Sequence, residues 1–563
     1  MRRLICIGFL CLSAWRLCAQ DDDLIRAALY LSGVSQAEEI DSSVLELLEA
    51  SRGRKLRVNS PHLRGRGILS HYQVASIADY RARCGDILSW DELALLDGFS
   101  SEAVQALRPF LSLYSEQVPG SRPDSVRRRI TGEALLRATL KNVGGKARVA
   151  GENWRTGGAW REKDWTAYAE GNYRGVRLLL GDYHLRMGQG LAQWSGFSMT
   201  SLSSADAFVR RPTGASPAWS YVSGNAHRGL VGEYGSRHIQ ALVFGALDGL
   251  TGVHASWLWR HGQAGGSVLC DASTGRWTFS ADGLLNWRGT TLAFEGTYRN
   301  GSGGGLVSGD FRLGEKFRGV AQARVLPSAF SGKKNGEYAL ALGTVFQSSR
   351  RCSLAGMTGF GSSVPVHEAS LTLDAALVPL PGKDPGRRQV RAWALWKWQM
   401  APAWSLQLRL TERYRNYEHP RTDIRLQTGF GNGPWMASWR LEGVLCQHAD
   451  SFWKPSEDAS FPIGVLSYLE GGYKGGAFSC YLRATGFVID AWNDRIYVYE
   501  RDAPGSFSVP SYYGRGGAVS LFGGWKHRFG RVCTLKVYLR AGYMARIGRD
   551  STPTLSVQLQ CER

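Results

Sequence analysis

"WSLQLRLTERYR", residues 404 to 415, alternates without a break. Trp404, Leu406, Leu408 and Leu410 fall on one face; Ser405, Gln407, Arg409 and Thr411 fall on the other. Only a strand separates the two sets, because its side chains point to opposite faces in turn. "TLKVYLRAGY" (534–543) does the same, with Leu535, Val537, Leu539 and Ala541 opposite Lys536 and Arg540. So do "GRWTFSADGLL" (275–285), "MASWRLEGVL" (436–445) and the terminal "TLSVQLQCER" (554–563). Glycine turns such as Arg174-Gly175 and Lys474-Gly475-Gly476 join neighbouring strands. The period of two runs from residue 132 to residue 563.

A soluble sandwich would show the same alternation; an export signal, the chain length and the tryptophan count favour a membrane barrel over it. The chain has 563 residues, 69 glycines, 20 tryptophans and 22 tyrosines, but only 7 methionines. It holds no apolar run long enough for a membrane helix. A soluble propeller or solenoid needs an internal repeat, and none is found. In lipid every backbone amide needs a partner within the protein, so such a sheet must close. The fold class expected is a small all-α domain followed by a large antiparallel transmembrane β-barrel. At about ten residues per strand plus turns, on the order of 18 to 22 strands fit. Aromatic side chains are then expected outside, with Arg, Gln and Glu in the lumen.

The N-terminus reads as an export signal over residues 1–19. Arg2 and Arg3 precede "LICIGFLCLSAW", and "RLCAQ" places cleavage after Ala19. Three of the ten cysteines fall in that signal. The others (Cys84, Cys270, Cys352, Cys446, Cys480, Cys533 and Cys561) are odd in number, widely spaced and without a CxxC pair. No zinc site, other metal or cofactor is expected from them. The net charge is +20. Residues 20 to 130 are nearly neutral, so the excess cations belong to the strands, in the lumen or at strand ends near anionic lipopolysaccharide.

Between signal and barrel the period is 3.6. Residues 20–57 read as a helical pair broken near Gly33, with a basic run following: Arg52, Arg54, Lys55, Arg57, Arg64 and Arg66. In residues 58–115, Ser70 is placed to cap a helix that Gly85 ends. "SWDE" (89–92) is a capping box. "DGFSS" (97–101) then pinches two short helices together. Residues 116–131 read as a polar linker, and the barrel occupies 132–563.

These stretches resemble a family of Bacteroidota outer-membrane proteins that join a periplasmic helix-hairpin-helix domain to a β-barrel. The resemblance runs through "LLEASRGRKLRVNS" (47–60), "ILSHYQVASIADYRARCG" (68–85) and "LSWDELALLDGFSSEAVQALRPFLSL" (88–113). It resumes at "GDYHLRMGQGLAQWSGF" (181–197) and "NAHRGLVGEYG" (225–235). It implies this domain arrangement and no established activity. Two departures stand out. Ser100 holds the second glycine position of the hairpin, and Arg563 ends the chain where an aromatic residue is usual.

Two readings of the helical module follow. In one it docks a periplasmic partner or plugs the barrel, giving a non-enzymatic transport or channel protein in contact with outer-membrane lipid and lipopolysaccharide. In the other it grips duplex DNA during uptake. The amides of Gly98, Phe99, Ser100 and Ser101, with Gly67 and Ser70, would then face phosphates. Arg52, Arg54, Lys55, Arg57 and Arg66 would supply salt-dependent attraction. An outer-membrane lipid hydrolase built on Ser195, His184 and His227 is the weakest reading, since no GxSxG, zinc helix or phosphate loop accompanies them. In the barrel, Gly188 and Gly190 permit a sharp bend. Gln189, Gln193 and Trp194 suit a polar interior, so the long segment 198–224 is expected to fold into the lumen.

Overall fold

The computed structural model describes residues 20–563 except 52–54, 62, 118–129, 196–201, 222–223, 225, 315, 332–335, 350–364, 381–382, 402, 417–419, 447–462, 490–491 and 531–532. The signal at 1–19, Arg52, Arg54, Cys352 and most of the linker lie outside the described residues.

From Thr131–Thr139 onward the chain forms a closed antiparallel barrel of 24 strands. The last strand, Arg549–Glu562, pairs with the first, matching Gln558 to Arg137. Arg563 N–H donates to the Gly132 carbonyl at 2.9 Å, so the terminal arginine completes the seam. The number slightly exceeds 18 to 22 because many turns are minimal. Residues 162–163 alone separate Trp154–Arg161 from Asp164–Tyr173, and Arg174-Gly175 turn with φ of 44° and 87°.

The alternation resolves as expected. In the last strand Leu555, Val557 and Leu559 are exposed, while Ser556, Gln558 and Gln560 are buried. Trp404, Leu408 and Leu410 face outward, and Thr411 is buried. Outward aromatics form two girdles: Trp154, Trp259, Trp287, Trp404 and Trp435 near the end holding the chain termini, and Trp160, Trp165, Trp277, Tyr298 and Tyr543 near the other. Trp277 and Trp287 share one strand. At about 3.3 Å per residue they stand roughly 33 Å apart along it. A tilt of about 40° makes this about 25 Å, the height of a lipid-facing band. Leu482 lies within that band. Leu482→Arg is expected to destabilise the barrel by about 2–4 kcal/mol, read as a lowered unfolding midpoint in detergent or lipid.

Two ends differ in their connections. Those at the termini end are short where described, such as 260–261 and 433–434. Of the longer connections, 187–226 and 490–513 lie at the opposite end, whereas 350–364, outside the described residues, joins strands at the termini end.

Among the described residues five α-helices precede the barrel: α1 (Gln20–Ser32), α2 (Ser42–Ser51), α3 (His71–Cys84), α4 (Trp90–Ala94) and α5 (Ser101–Leu107). Gly33, at φ 66°, ends α1, with Val34 N–H donating back to the Leu29 carbonyl. Ser70 with Gln73, and Ser89 with Glu92, make reciprocal capping boxes on α3 and α4. The helices share one apolar core that includes Leu48, Ile68, Ile77, Leu93 and Leu107. The Cys533 and Cys561 thiols lie 2.9 Å apart on adjacent strands.

Candidate functional site: the occupied lumen

The inward faces of the wall carry charge. Arg425, Arg440, Arg483, Glu442 and Glu470 are all buried. Such groups are tolerated only when paired, and they are. Arg483 meets Glu470, Arg177 meets Glu170 and Glu233, and Arg324 meets Asp374 at 2.8 Å. The cations expected in the lumen are therefore there, largely neutralised by carboxylates.

Several of those partners come from the N-terminal segment, which lies inside the barrel. Glu38 binds Arg440 at 2.5 Å and Arg425 at 3.5 Å, and both arginines also hold Glu442. Gln36 accepts from Arg425 at 2.8 Å. Arg148 donates to the Glu49 carbonyl, and Arg186 donates to Ser43 Oγ. Burial pushes the Glu38 carboxyl up, but Arg425 and Arg440 outweigh it and hold the group far below the usual carboxylate range. At the termini end, α3 and the loop before α5 rest on wall turns. Tyr72 Oη donates to the Arg260 carbonyl at 3.0 Å. Asp97 meets His261 at 3.1 Å, and Asp79 pairs with Arg237.

The hairpin residues serve this packing. Gly98 takes φ 82°, and a side chain there would meet Tyr72 and Gln73; its carbonyl accepts from Gln73 Nε2 at 2.8 Å. Phe99 is buried in the helical core. Ser100 caps α5 through Ala103 N–H, and Ser101 opens that helix, exposed. Gly67, also at φ 82°, packs on Leu47. Ser70 is spent on capping. Arg57 pairs with Glu116 and stacks on Tyr114. Arg66 takes φ 48°, and Lys55 is exposed.

The second expected site also lies inside. Gly188 and Gly190 take φ of 53° and 89°, turning the chain inward after the strand Val176–Arg186. The bend brings three backbone amides, those of Gln189, Leu191 and Ala192, onto the Glu295 carboxylate at 2.7–2.9 Å. Gln193 bonds His227 at 2.8 Å, and His227 bonds Asp248 at 2.8 Å. Ser195 Oγ accepts from Leu185 N–H, and Trp194 lies under the Arg210 guanidinium. Farther along, Trp219 is buried against the wall, donating to the Ala147 and Gly158 carbonyls. Glu295→Gln removes the charge and turns an amide toward those donors. It is expected to cost about 3 kcal/mol and to raise hydrogen exchange at residues 189–192 about a hundredfold.

Reasoning from sequence missed Glu38, Glu295, Arg425, Arg440 and Glu442. One signal was available: in "SWRLEGVL", Arg440 and Glu442 share a face two residues apart. It also missed the inward fold of the segment before the last three strands, where Asp502 pairs with Arg137 and Phe507 packs on the helical core.

No family profile and no curated protein matches the sequence. Several solved structures are similar at low level. A P pilus tip assembly intermediate from E. coli is 10% identical over 80% of this chain and 63% of that chain, with TM-score 0.42. The copper transporter OprC is 8% identical over 77% and 80%, with TM-score 0.35. OprD of Pseudomonas aeruginosa is 9% identical over 77% and 94%, with TM-score 0.29. Overlaps this loose decide nothing; the closed ladder and outward apolar band do. The chain is a barrel of the outer-membrane type. Its lumen holds its own N-terminal helices.

Proposed function

We propose that this protein is a non-enzymatic outer-membrane transport barrel whose N-terminal helical module plugs the lumen from the periplasmic side. One observation carries the reading: Glu38, on the segment between α1 and α2, is clamped by Arg425 and Arg440 of the inner wall. The long connections 187–226 and 490–513, at the end away from the chain termini, support a periplasmic module, since outer-membrane barrels carry their longer loops on the outer side. Passage through the barrel then requires the helices to shift or leave.

The tandem hairpins act in this reading as a docking scaffold. Gly98 packs on α3, and Asp97 reaches the wall at His261, which supports docking over contact with a phosphate. The test compares conductance in planar bilayers of the intact chain and a variant lacking residues 20–115. Equal conductance would overturn the plug.

A further inference from the structure

Where α1, the turn before α3 and residues 202–213 meet, the lumen holds a cavity of about 120 Å³. At about 10–15 Å³ per water centre it admits roughly ten waters, room for a hexose-sized molecule. Three arginines line it: Arg186, Arg210 and Arg211. Two are partnered. Arg186 has Asp41 at 3.5 Å and Ser43 Oγ at 2.7 Å. Arg211 has Asp206 at 3.9 Å and lies over the Tyr30 ring.

Arg210 is different. Its backbone is pinned on both sides by Gln189, which accepts from Arg210 N–H at 2.9 Å and donates to its carbonyl at 3.2 Å. Its guanidinium lies over Trp194, 4.8 Å from the ring centroid, and has no carboxylate within 4 Å among the described residues. Glu295, the acid that acts on it from farther away, is occupied by the three backbone amides. Burial accordingly pushes its pKa down to about 10. Two more polar groups line the cavity unpartnered among the described residues: Ser32 Oγ and Thr213 Oγ1, both buried. A held cation without a counter-ion and two buried hydroxyls without partners are each costly unless something meets them. Val34, Val44 and Ile68 add apolar surface beside them.

We propose that this cavity binds a small hydroxylated carboxylate of sugar-acid size, its carboxylate on Arg210 and its hydroxyl groups on Ser32 and Thr213. The guanidinium fork matches a planar carboxylate bidentately. The site exists with the helical module seated, since Ser32 of α1 lines it, and binding is measured without transport.

The experiment titrates the full chain in detergent micelles by calorimetry with D-glucuronate, D-glucose and inorganic phosphate in turn. Glucuronate is expected to saturate a single site, with glucose and phosphate each weaker by about tenfold or more, the worth of a hydrogen-bonded charge. Arg210→Gln is expected to lose about tenfold in glucuronate affinity, folding being checked by heat-dependent gel mobility. Thr213→Val, nearly isosteric, is expected to lose several-fold and serves if the arginine variant does not fold. No saturable glucuronate binding, equal binding of glucose or phosphate, or unchanged affinity in the folded variants overturns the proposal.

Discussion

Removal of residues 20–115 is expected to convert a nearly closed barrel into a conducting one, with a rise on the order of tenfold or more, the contrast between a plugged and a water-filled barrel. The wall should survive, because its ladder closes through its own first and last strands. Arg425 and Arg440 lose Glu38 but keep Glu442, and water entering the emptied lumen removes the penalty that burial had imposed on them. The opening is expected to be partial, since residues 189–192 remain held by Glu295, and Trp219 by its bonds to the wall. Deleting residues 198–224 as well should enlarge the pore again. Planar-bilayer recordings of the three proteins check both steps, and an unchanged conductance after the second deletion would refute the constriction.

Glu38→Gln should loosen the helical module without unfolding the barrel. Removing one member of a buried ion network costs about 3–5 kcal/mol, read as earlier proteolysis of residues 20–115 along a urea series. Acid should act through the same contacts. The docked Glu38 carboxyl titrates below its ordinary 4.5, so its stabilisation is complete above that pH and is lost as pH falls further. His71 adds an earlier stage. Burial holds its imidazole below the ordinary 6.5, so docking keeps it neutral and weakens as pH falls below 6.5. Glu46 runs the other way: burial raises it despite the opposing Lys146 charge, and protonation there favours seating. The module is thus expected to loosen in two stages, the upper absent in His71→Gln and the lower in Glu38→Gln. A single transition unaffected by either substitution would show that other groups control seating.

The alternation at 404–415 and 554–563 sorted each strand into two faces, but which face meets lipid rested on the export signal, the chain length and the tryptophan count. Capping at Ser70 and Ser89 was legible, since a cap and the amides it satisfies lie within three residues; the cap at Ser100 was not read. The bend at Gly188 and Gly190 could be placed, but not its anchor: Glu295 lies more than one hundred residues away and is one of many inward carboxylates. Glu38 read as one residue of the helical pair at 20–57. Its meaning depends on Arg425 and Arg440, which only closure of the wall brings around it. Local periodicity and capping chemistry therefore determined, from sequence alone, the strands and the helical module, and composition with the export signal pointed those strands to a barrel. That the module sits inside the barrel was decided by tertiary structure, because charge pairing across the lumen joins residues no local pattern connects.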